Sequence, residues 1–151
     1  MTFNNVFNRE DLIVRDLTGS GKTLGFSLPT VEYLRKNKMF GTGKIQTIVL
    51  APTRELAIQI TRVMNDLKHH DKEFNVLAVY GGVSMDDQIW QLRKGVDILV
   101  GTTGRVLDHM ERGNLNFTEL KSIILDEADQ MMKLGFKEDI DRILGNIKGA
   151  V

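Results

Sequence analysis

Short apolar runs alternate with longer amphipathic segments along this chain. The runs are rich in valine, isoleucine and leucine, and each is too short for a typical helix. They are 11–16 (DLIVRD), 47–51 (TIVLA), 75–80 (NVLAVY), 97–101 (DILVG) and 122–126 (SIILD). Near-continuous apolar runs of this length are typical of strands in a parallel sheet that is buried on both faces.

The segments between these runs have helical spacing. In one of them the apolar positions are Leu56, Ile60, Val63 and Leu67. Similar spacing is found in 23–35, 84–93, 105–112 and 137–148. The alternation of strand and helix predicts an α/β fold, with a doubly wound, mostly parallel sheet and helices on both of its faces. In such sheets the functional groups gather at the carboxyl ends of the strands.

Composition narrows the class of protein. The 151 residues suit one globular domain. Lysine plus arginine and aspartate plus glutamate number 20 each, so bulk charge gives no sign of a nucleic-acid partner and any such binding must be local. The chain has no cysteine, which excludes disulfides, thiolate catalysis and cysteine zinc sites. Its apolar runs are also too short to span a membrane.

A glycine-rich segment follows the first run and opens the first predicted helix. Its residues are Thr18, Gly19, Ser20, Gly21, Lys22 and Thr23. Glycines let backbone N–H groups approach phosphate oxygens, Lys22 can reach the β- and γ-phosphates, and the Thr23 hydroxyl can bind Mg²⁺. The general phosphate-loop pattern has glycine where this chain has Asp16, so a chance strand-to-helix turn remains the alternative.

The last apolar run ends in the tetrapeptide Asp126–Asp129 (DEAD). A carboxylate that ends a buried strand, about a hundred residues after a phosphate loop, fits a Walker B site. Asp126 would hold Mg²⁺, largely through water, and Glu127 would orient or deprotonate an attacking water. Lys22, Asp126 and Glu127 are therefore the candidate catalytic residues. For Asp129, the N-cap of a helix over 131–136 is a competing interpretation.

Five motifs in order make a more specific pattern than any one of them. They are Thr18–Thr23, Ala51–Leu56 (APTREL), Gly81–Gly82, Thr102–Arg105 (TTGR) and Asp126–Asp129. With this order and spacing, the chain resembles the first of the two RecA-like domains of DEAD-box RNA helicases over essentially its whole length. The stretch from Tyr80 to Arg105 most resembles the nucleolar Gu-type subgroup.

The resemblance implies a RecA-like P-loop fold that uses ATP and Mg²⁺, with hydrolysis coupled to local RNA unwinding or to remodelling of RNA–protein complexes. Single-stranded or duplex RNA would be held by its backbone, and Asp129 would couple the two domains. The matching RNA-binding positions are Pro52, Thr53, Arg54, Gly81, Gly82, Thr102, Thr103, Gly104 and Arg105. Taken alone, Arg54 and Arg105 could equally be solvated residues at the N-termini of helices. The family implies an intracellular location, in the nucleus or nucleolus or in the cytoplasm.

The chain departs from the family pattern in several places. Asp16 stands where the family has alanine, and Thr103 replaces a proline, which could loosen that loop. The family's upstream glutamine motif, its Ser-Ala-Thr motif and its second RecA-like domain are not within residues 1–151. We therefore expect a single partial domain, truncated at both ends, with a marginal fold, negligible unwinding and at most trace ATPase activity. The alternative is an RNA- or partner-binding module that does not turn over ATP.

A few other conspicuous residues are expected to have structural roles and no role in binding or catalysis. A metal role for His69, His70 or His109 has no third ligand in view. Trp90 and the pair Met131–Met132 lie on amphipathic segments and are expected to pack in the core or against a partner.

Overall fold

A computed structural model of the chain describes residues 2–8, 10–14 and 21–150. Its strands are β1 (Thr47–Ala51), β2 (Val76–Val79), β3 (Ile98–Thr102) and β4 (Ser122–Leu125). They form one sheet in the order β2-β3-β1-β4, and every neighbouring pair is parallel. In this part of the chain, β1 and β3 are therefore interior strands, and β2 and β4 are edges.

Two helices precede β1, and the others lie between and after the strands. They are α1 (Thr2–Phe7), α2 (Lys22–Lys36), α3 (Arg54–Asp66), α4 (Met85–Arg93), α5 (Thr103–Glu111), α6 (Ala128–Lys133) and α7 (Lys137–Ala150). The crossovers from β1, β2 and β3 each contain one helix, because parallel strands cannot be joined by a tight hairpin.

The alternation of side chains along β1 separates the core into two layers. Ile48 and Leu50 pack in one cluster with residues of α5, α6 and α7. Val49 and Ala51 pack in a second cluster with residues of α2 and α3. The sheet is thus covered on both faces, which confirms the predicted doubly wound α/β architecture.

Polar contacts fix the amino-terminal edge of the sheet. Asp97 is 3% exposed, and its two carboxylate oxygens accept hydrogen bonds from the backbone N–H groups of Gly41 and Asn75, each at 2.8 Å. The hydroxyls of Thr47 and Ser122 are 2.9 Å apart on neighbouring strands. The protein's own hydrogen bonds therefore occupy the amino-terminal ends of the strands. In sheets of this kind, ligands bind at the opposite, carboxyl-terminal ends.

One predicted strand is wrong. Residues 11–14 have no regular secondary structure, and Ile13 is 91% exposed. Apolar composition alone does not make a strand, because a parallel strand also needs a neighbour for its backbone ladder. Residues 11–14 belong to none of the four described strands. The rest of the predicted run, Arg15 and Asp16, lies outside the described residues.

Candidate functional site

The described end of the phosphate loop lies where the first long helix begins. Gly21 is the N-cap of α2, and Lys22 and Thr23 are its first two residues. Lys22 is half-buried, whereas Thr23 is only 8% exposed. Thr18, Gly19 and Ser20, which were predicted to bind nucleotide, and Asp16, which departs from the family, lie outside the described residues. Of this motif, the structure therefore places only Gly21, Lys22 and Thr23.

The acidic pair follows the edge strand β4. The backbone N–H of Asp126 donates to the carbonyl of Leu50 at 3.0 Å, which extends the ladder one residue beyond the strand. This bond fixes Asp126, which is 4% exposed. Glu127 is exposed and has φ 54° and ψ 50°, the left-handed conformation, as the N-cap of α6. For a residue with a side chain this costs about 1 kcal/mol or more, a strain that is characteristic of functional sites.

Charge connects the two ends of this site. Burial raises the pKa of the Asp126 carboxyl, and the neighbouring Glu127 charge adds to the rise. The positive charge of Lys22 acts in the opposite direction on the same carboxyl. Lys22 at the start of α2 and the Asp126 carboxylate after β4 are therefore electrostatic neighbours, although they are far apart in the sequence.

The donor set suits a magnesium–phosphate ligand. Mg²⁺ prefers hard oxygen ligands, and both Asp126 and Thr23 offer one from an almost fully buried position. The Lys22 ammonium supplies the positive charge that phosphate oxygens need. Among the described residues, no group of three or more histidine, cysteine or acidic side chains forms a metal cluster of the protein's own. The arrangement can therefore hold a cation that a phosphate ligand also binds.

Three other helices begin at the same edge of the sheet. The Thr53 side chain caps α3 by accepting a hydrogen bond from Leu56 N, and Ser84 caps α4 by accepting one from Asp87 N. Thr102 is the N-cap of α5. Each N-terminus follows one of the strands β1, β2 and β3. Free N–H groups and the helix dipole make such positions favourable for anions.

The two predicted arginines, Arg54 and Arg105, both contact residues 80–83, the double-glycine loop that contains Gly81 and Gly82. The Arg54 guanidinium carbon lies 5.0 Å from the centroid of the Tyr80 ring. Arg105 donates from Nε to the Tyr80 carbonyl at 3.0 Å and from Nη2 to the Val83 carbonyl at 2.7 Å. These contacts leave only some of the N–H groups of Arg105 for a ligand, so part of its role is to hold the loop.

The glycines of that loop are exposed, and Gly82 has φ 84°. A Cβ atom on Gly82 would lie 3.3 Å from Nη1 of Arg54, so a side chain here would be both strained and crowded. Pro52 is buried beneath the start of α3, whereas Thr53 and Arg54 are exposed. Thr103 is 1% exposed as the first residue of α5, a position that proline or another residue can occupy without losing a helical hydrogen bond.

A cleft of about 540 Å³ lies among these elements. Its lining residues are Gly81, Thr102, Thr103, Gly104, Arg105, Asp108, Phe136 and Asp139. The first five were predicted from the sequence. Asp108 was missed, although it follows Arg105 by three residues and shares its helix face. Phe136 and Asp139 carry no local signal, because only the packing of the α6–α7 segment brings them to the cleft.

The structure also tests the interpretations given to residues outside the nucleotide and RNA motifs and to Asp129. Asp129 is exposed in the first turn of α6, and the interpretation of it as an N-cap is wrong because the helix already begins at Ala128. His109 is fully buried, in agreement with its structural assignment. Met131 is buried as well, but Trp90 is 59% exposed and does not belong to the core. No helix in the described ranges has the length and hydropathy that crossing a bilayer requires.

Comparison with known proteins agrees with this geometry. The profile of the DEAD/DEAH box helicase family matches residues 1–150. The ATP-dependent RNA helicase DeaD of Escherichia coli K12 is 44% identical over 143 residues, which cover 95% of this chain and 22% of that protein. Nucleolar RNA helicase 2 of Rattus norvegicus is 42% identical over 146 residues, 95% of this chain and 18% of that protein. The chain thus spans about a fifth of the length of such relatives.

A solved structure is similar over almost the whole chain. The DEAD box protein from Methanococcus jannaschii superposes with a TM-score of 0.83 at 40% identity, covering 96% of this chain and 38% of that one. A hypothetical ATP-dependent RNA helicase from Sulfolobus tokodaii gives a TM-score of 0.82 at 33% identity, covering 97% of this chain and 41% of that one. Fold, motif order and sequence agree, and the chain belongs to the DEAD/DEAH box helicase family.

Proposed function

We propose that this chain forms the first RecA-like domain of an ATP-dependent RNA helicase and carries its ATP site and part of its RNA site. The observation that carries the proposal is the common location of two sets of groups. Lys22, Thr23 and Asp126 on one side, and the N-termini of α3, α4 and α5 on the other, all lie at the carboxyl edge of one parallel sheet. One set suits a nucleotide phosphate and the other suits the phosphates of a nucleic-acid backbone.

In the ATP half, Lys22 would bind the terminal phosphates. Asp126 and the hydroxyl of Thr23 would hold Mg²⁺, which when bound supplies charge stabilisation to the phosphoryl group. Glu127 would orient the attacking water and accept its proton. Because the Asp126 carboxylate is almost fully buried, its charge is poorly solvated, and a cation bound beside it would stabilise the ionised form. Thr18, Gly19, Ser20 and Gly21 would supply the phosphate-binding backbone.

In the RNA half, backbone groups, hydroxyls and arginine side chains at the loop-to-helix junctions would hold the sugar–phosphate chain. The proposed contacts are those of Pro52, Thr53, Arg54, Gly81, Gly82, Thr102, Thr103, Gly104 and Arg105. Contacts of this kind fix the position of a strand without reading its bases, so we expect little sequence preference. RNA would be distinguished from DNA through its 2′-hydroxyl groups.

The complete protein would hold a second RecA-like domain, and Asp129 at the exposed start of α6 would couple the two. Hydrolysis would then drive local unwinding of short duplexes or remodelling of RNA–protein complexes inside the cell. Without an arginine finger from a second domain, a group worth about 10³–10⁵ in rate in related phosphoryl transfer, residues 1–151 alone would show at most trace ATPase activity.

The nucleotide half is tested by calorimetric titration of the chain with Mg·ADP and Mg·ATP. We expect Lys22→Ala to weaken binding by about tenfold or more, and removal of Mg²⁺ by a chelator to weaken it as well. The matched control is Lys36→Ala, the same change at the other end of α2, which should leave affinity unchanged. Equal affinity of folded Lys22→Ala and wild type, or no binding by folded wild type, would defeat this half.

The RNA half is tested by fluorescence anisotropy with a labelled oligouridylate of about ten nucleotides at low salt. Affinity should fall as salt rises, because binding releases counterions from the backbone. The deoxy version of the same oligonucleotide should bind more weakly. Failure of the folded chain to bind this RNA would contradict the assignment of the double-glycine region.

A further inference from the structure

A chain of buried polar side chains lies behind the double-glycine loop. Gln88 on α4 is 4% exposed and His109 on α5 is fully buried. Gln88 Oε1 is 2.8 Å from His109 Nε2, and Asn114 Nδ2 is 3.1 Å from His109 Nδ1. Burying an amide and an imidazole is costly unless each polar atom has a partner, and here each has one.

The direction of these hydrogen bonds is set by a backbone carbonyl. Gln88 Nε2 is 3.1 Å from the carbonyl oxygen of Tyr80, which can only accept. The Gln88 amide must therefore present its nitrogen to Tyr80 and its oxygen to His109. His109 Nε2 then carries the proton and donates it, and Nδ1 accepts from Asn114. Burial lowers the pKa of His109, in keeping with this neutral form.

The Tyr80 carbonyl, at the end of this row of hydrogen-bonded side chains, directly precedes Gly81 and Gly82 in the sequence. Besides Gln88, it accepts a second hydrogen bond from Arg105 Nε at 3.0 Å, so both of its lone pairs are used. In a planar trans peptide the N–H points opposite to the C=O. Because the Tyr80 carbonyl is held from the protein side, the N–H of exposed Gly81 is directed away from α4 and α5.

We propose that Gln88, held in place by His109, is a positioning residue that fixes the peptide between Tyr80 and Gly81 for contact with an RNA phosphate. This inference rests on the proposed RNA-binding function of the double-glycine loop and adds two residues that no motif contains. Arg105 reaches the Tyr80 carbonyl with the guanidinium of a long, half-buried side chain, whereas Gln88 is almost fully buried and is itself held by His109. The glutamine therefore supplies the rigid part of the support.

The test compares Gln88→Leu with Gln46→Leu in the 151-residue chain. Gln46 is also a buried glutamine with side-chain partners, Thr42 and Glu119, but it lies beside Thr47 at the amino end of β1, away from the cleft. We expect Gln88→Leu to weaken oligouridylate binding by about tenfold while Mg·ADP affinity stays within about twofold of wild type. Gln46→Leu should lower the melting temperature comparably and leave RNA affinity unchanged.

Two further variants keep the proposal falsifiable if Gln88→Leu does not fold. Gln88→Asn keeps the amide but is one methylene too short to reach both partners, and it should weaken RNA binding several-fold. His109→Gln can still donate to Gln88 and should retain most of the affinity that His109→Leu loses. The backbone order parameter of Gly81, measured by ¹⁵N relaxation without RNA, should be lower in the Gln88 variants and unchanged in Gln46→Leu.

The possible failures are distinct. No RNA binding by folded wild type would overturn the proposed function and this inference with it. RNA binding by wild type that is equally strong in Gln88→Leu or folded Gln88→Asn would overturn the inference alone. Equal loss of RNA affinity in Gln88→Leu and Gln46→Leu would also overturn it, because the effect would then be a general loss of stability.

Discussion

The guanidinium of Arg54 lies over the ring of Tyr80, with its central carbon 5.0 Å from the ring centroid. Arg54 is the first residue of α3, after β1, and Tyr80 directly follows β2. The contact therefore joins two loops that the chain order separates. A cation held against an aromatic face loses less freedom when it binds a phosphate, since its side chain is already placed.

Replacement of this ring should weaken RNA binding through Arg54. We expect Tyr80→Leu to lower oligouridylate affinity about three- to tenfold, whereas Tyr80→Phe keeps the aromatic face and should bind as wild type does. Anisotropy titration measures both. The control is Tyr33→Leu on α2, the same change at the chain's other tyrosine. Wild-type affinity in Tyr80→Leu would show that the stacking does not prepare Arg54 for RNA.

The buried carboxylate of Asp126 is expected to lower the free energy of unfolding, although the proposed nucleotide site needs it. Burial raises its pKa, so the ionised form is less stable in the folded protein than in the unfolded chain. Asp126→Asn should raise the free energy of unfolding by about 1 kcal/mol and lower Mg·ADP affinity by tenfold or more. The stability advantage should shrink as pH falls through the raised pKa, because the wild-type carboxyl then becomes neutral too. Urea unfolding at several pH values measures it.

Asp97→Asn provides the matched control. Asp97 is equally buried, but both of its carboxylate oxygens accept backbone N–H bonds, from Gly41 and Asn75. The amide replaces one acceptor by a donor that faces another donor, so this variant should lose about 1–3 kcal/mol and keep nucleotide affinity if it remains folded. If Asp126→Asn were destabilised in the same way, the carboxylate would have a structural role, and our interpretation of the site would be wrong.

Gly101 is required by the packing of β3. A Cβ atom there would lie 2.5 Å from Cγ2 of Val106 and 2.8 Å from Cγ2 of Val79, closer than side chains tolerate. We expect Gly101→Ala to lower the free energy of unfolding by about 1–3 kcal/mol. Gly145→Ala, in α7 with nothing within 4 Å of its Cβ position, should instead be neutral or stabilise by up to about 1 kcal/mol. Equal stability of the two variants would contradict the steric argument.

The fold was predictable where local pattern and tertiary context agree. The apolar runs that became β1 to β4 all have neighbours in the ladder, and their boundaries were correct to within a residue or two. The run at 11–14 has the same composition but is exposed. Whether an apolar run becomes a strand depends on a neighbouring strand, and the residues of the run alone do not show whether one is present. The start of α6 was misplaced because Glu127 adopts a left-handed conformation that propensity does not favour.

The site was predictable as a set of motifs but not as a set of contacts. Motif order identifies the residues at the strand ends, and the sheet brings them to one edge. The sequence could not show that Arg105 donates to the carbonyls of Tyr80 and Val83, because this depends on how α5 lies against the loop. For the same reason the supporting roles of Gln88 and His109 have no sequence signal, since each looks like an ordinary residue of an amphipathic helix.

A partly buried ion pair joins α2 to the segment before β2, far from the motifs. Arg35 donates from Nε and Nη2 to the two carboxylate oxygens of Glu73, and also from Nη2 to the carbonyl of Leu67 at 2.8 Å. The side chains of Arg35 and Glu73 are 18% and 11% exposed. Glu73 also accepts from the backbone N–H of His69 at 2.6 Å. These bonds, that of Arg35 first, lower the pKa of Glu73 from 4.5 to about 2.

This shift predicts an acid-sensitive contribution to stability. Because the pKa is lower in the folded protein, the contribution is complete above about pH 4.5 and is lost as pH falls toward 2. At pH 7, Glu73→Gln should cost about 1–3 kcal/mol, since it removes one partner of a largely buried pair, and its stability should depend less on pH between 4.5 and 2. Glu32→Gln removes the more exposed partner of the same arginine and should cost no more than about 0.5 kcal/mol. Urea unfolding across this pH range decides the matter: a Glu73→Gln variant with the wild-type pH dependence would show that another group carries the acid sensitivity.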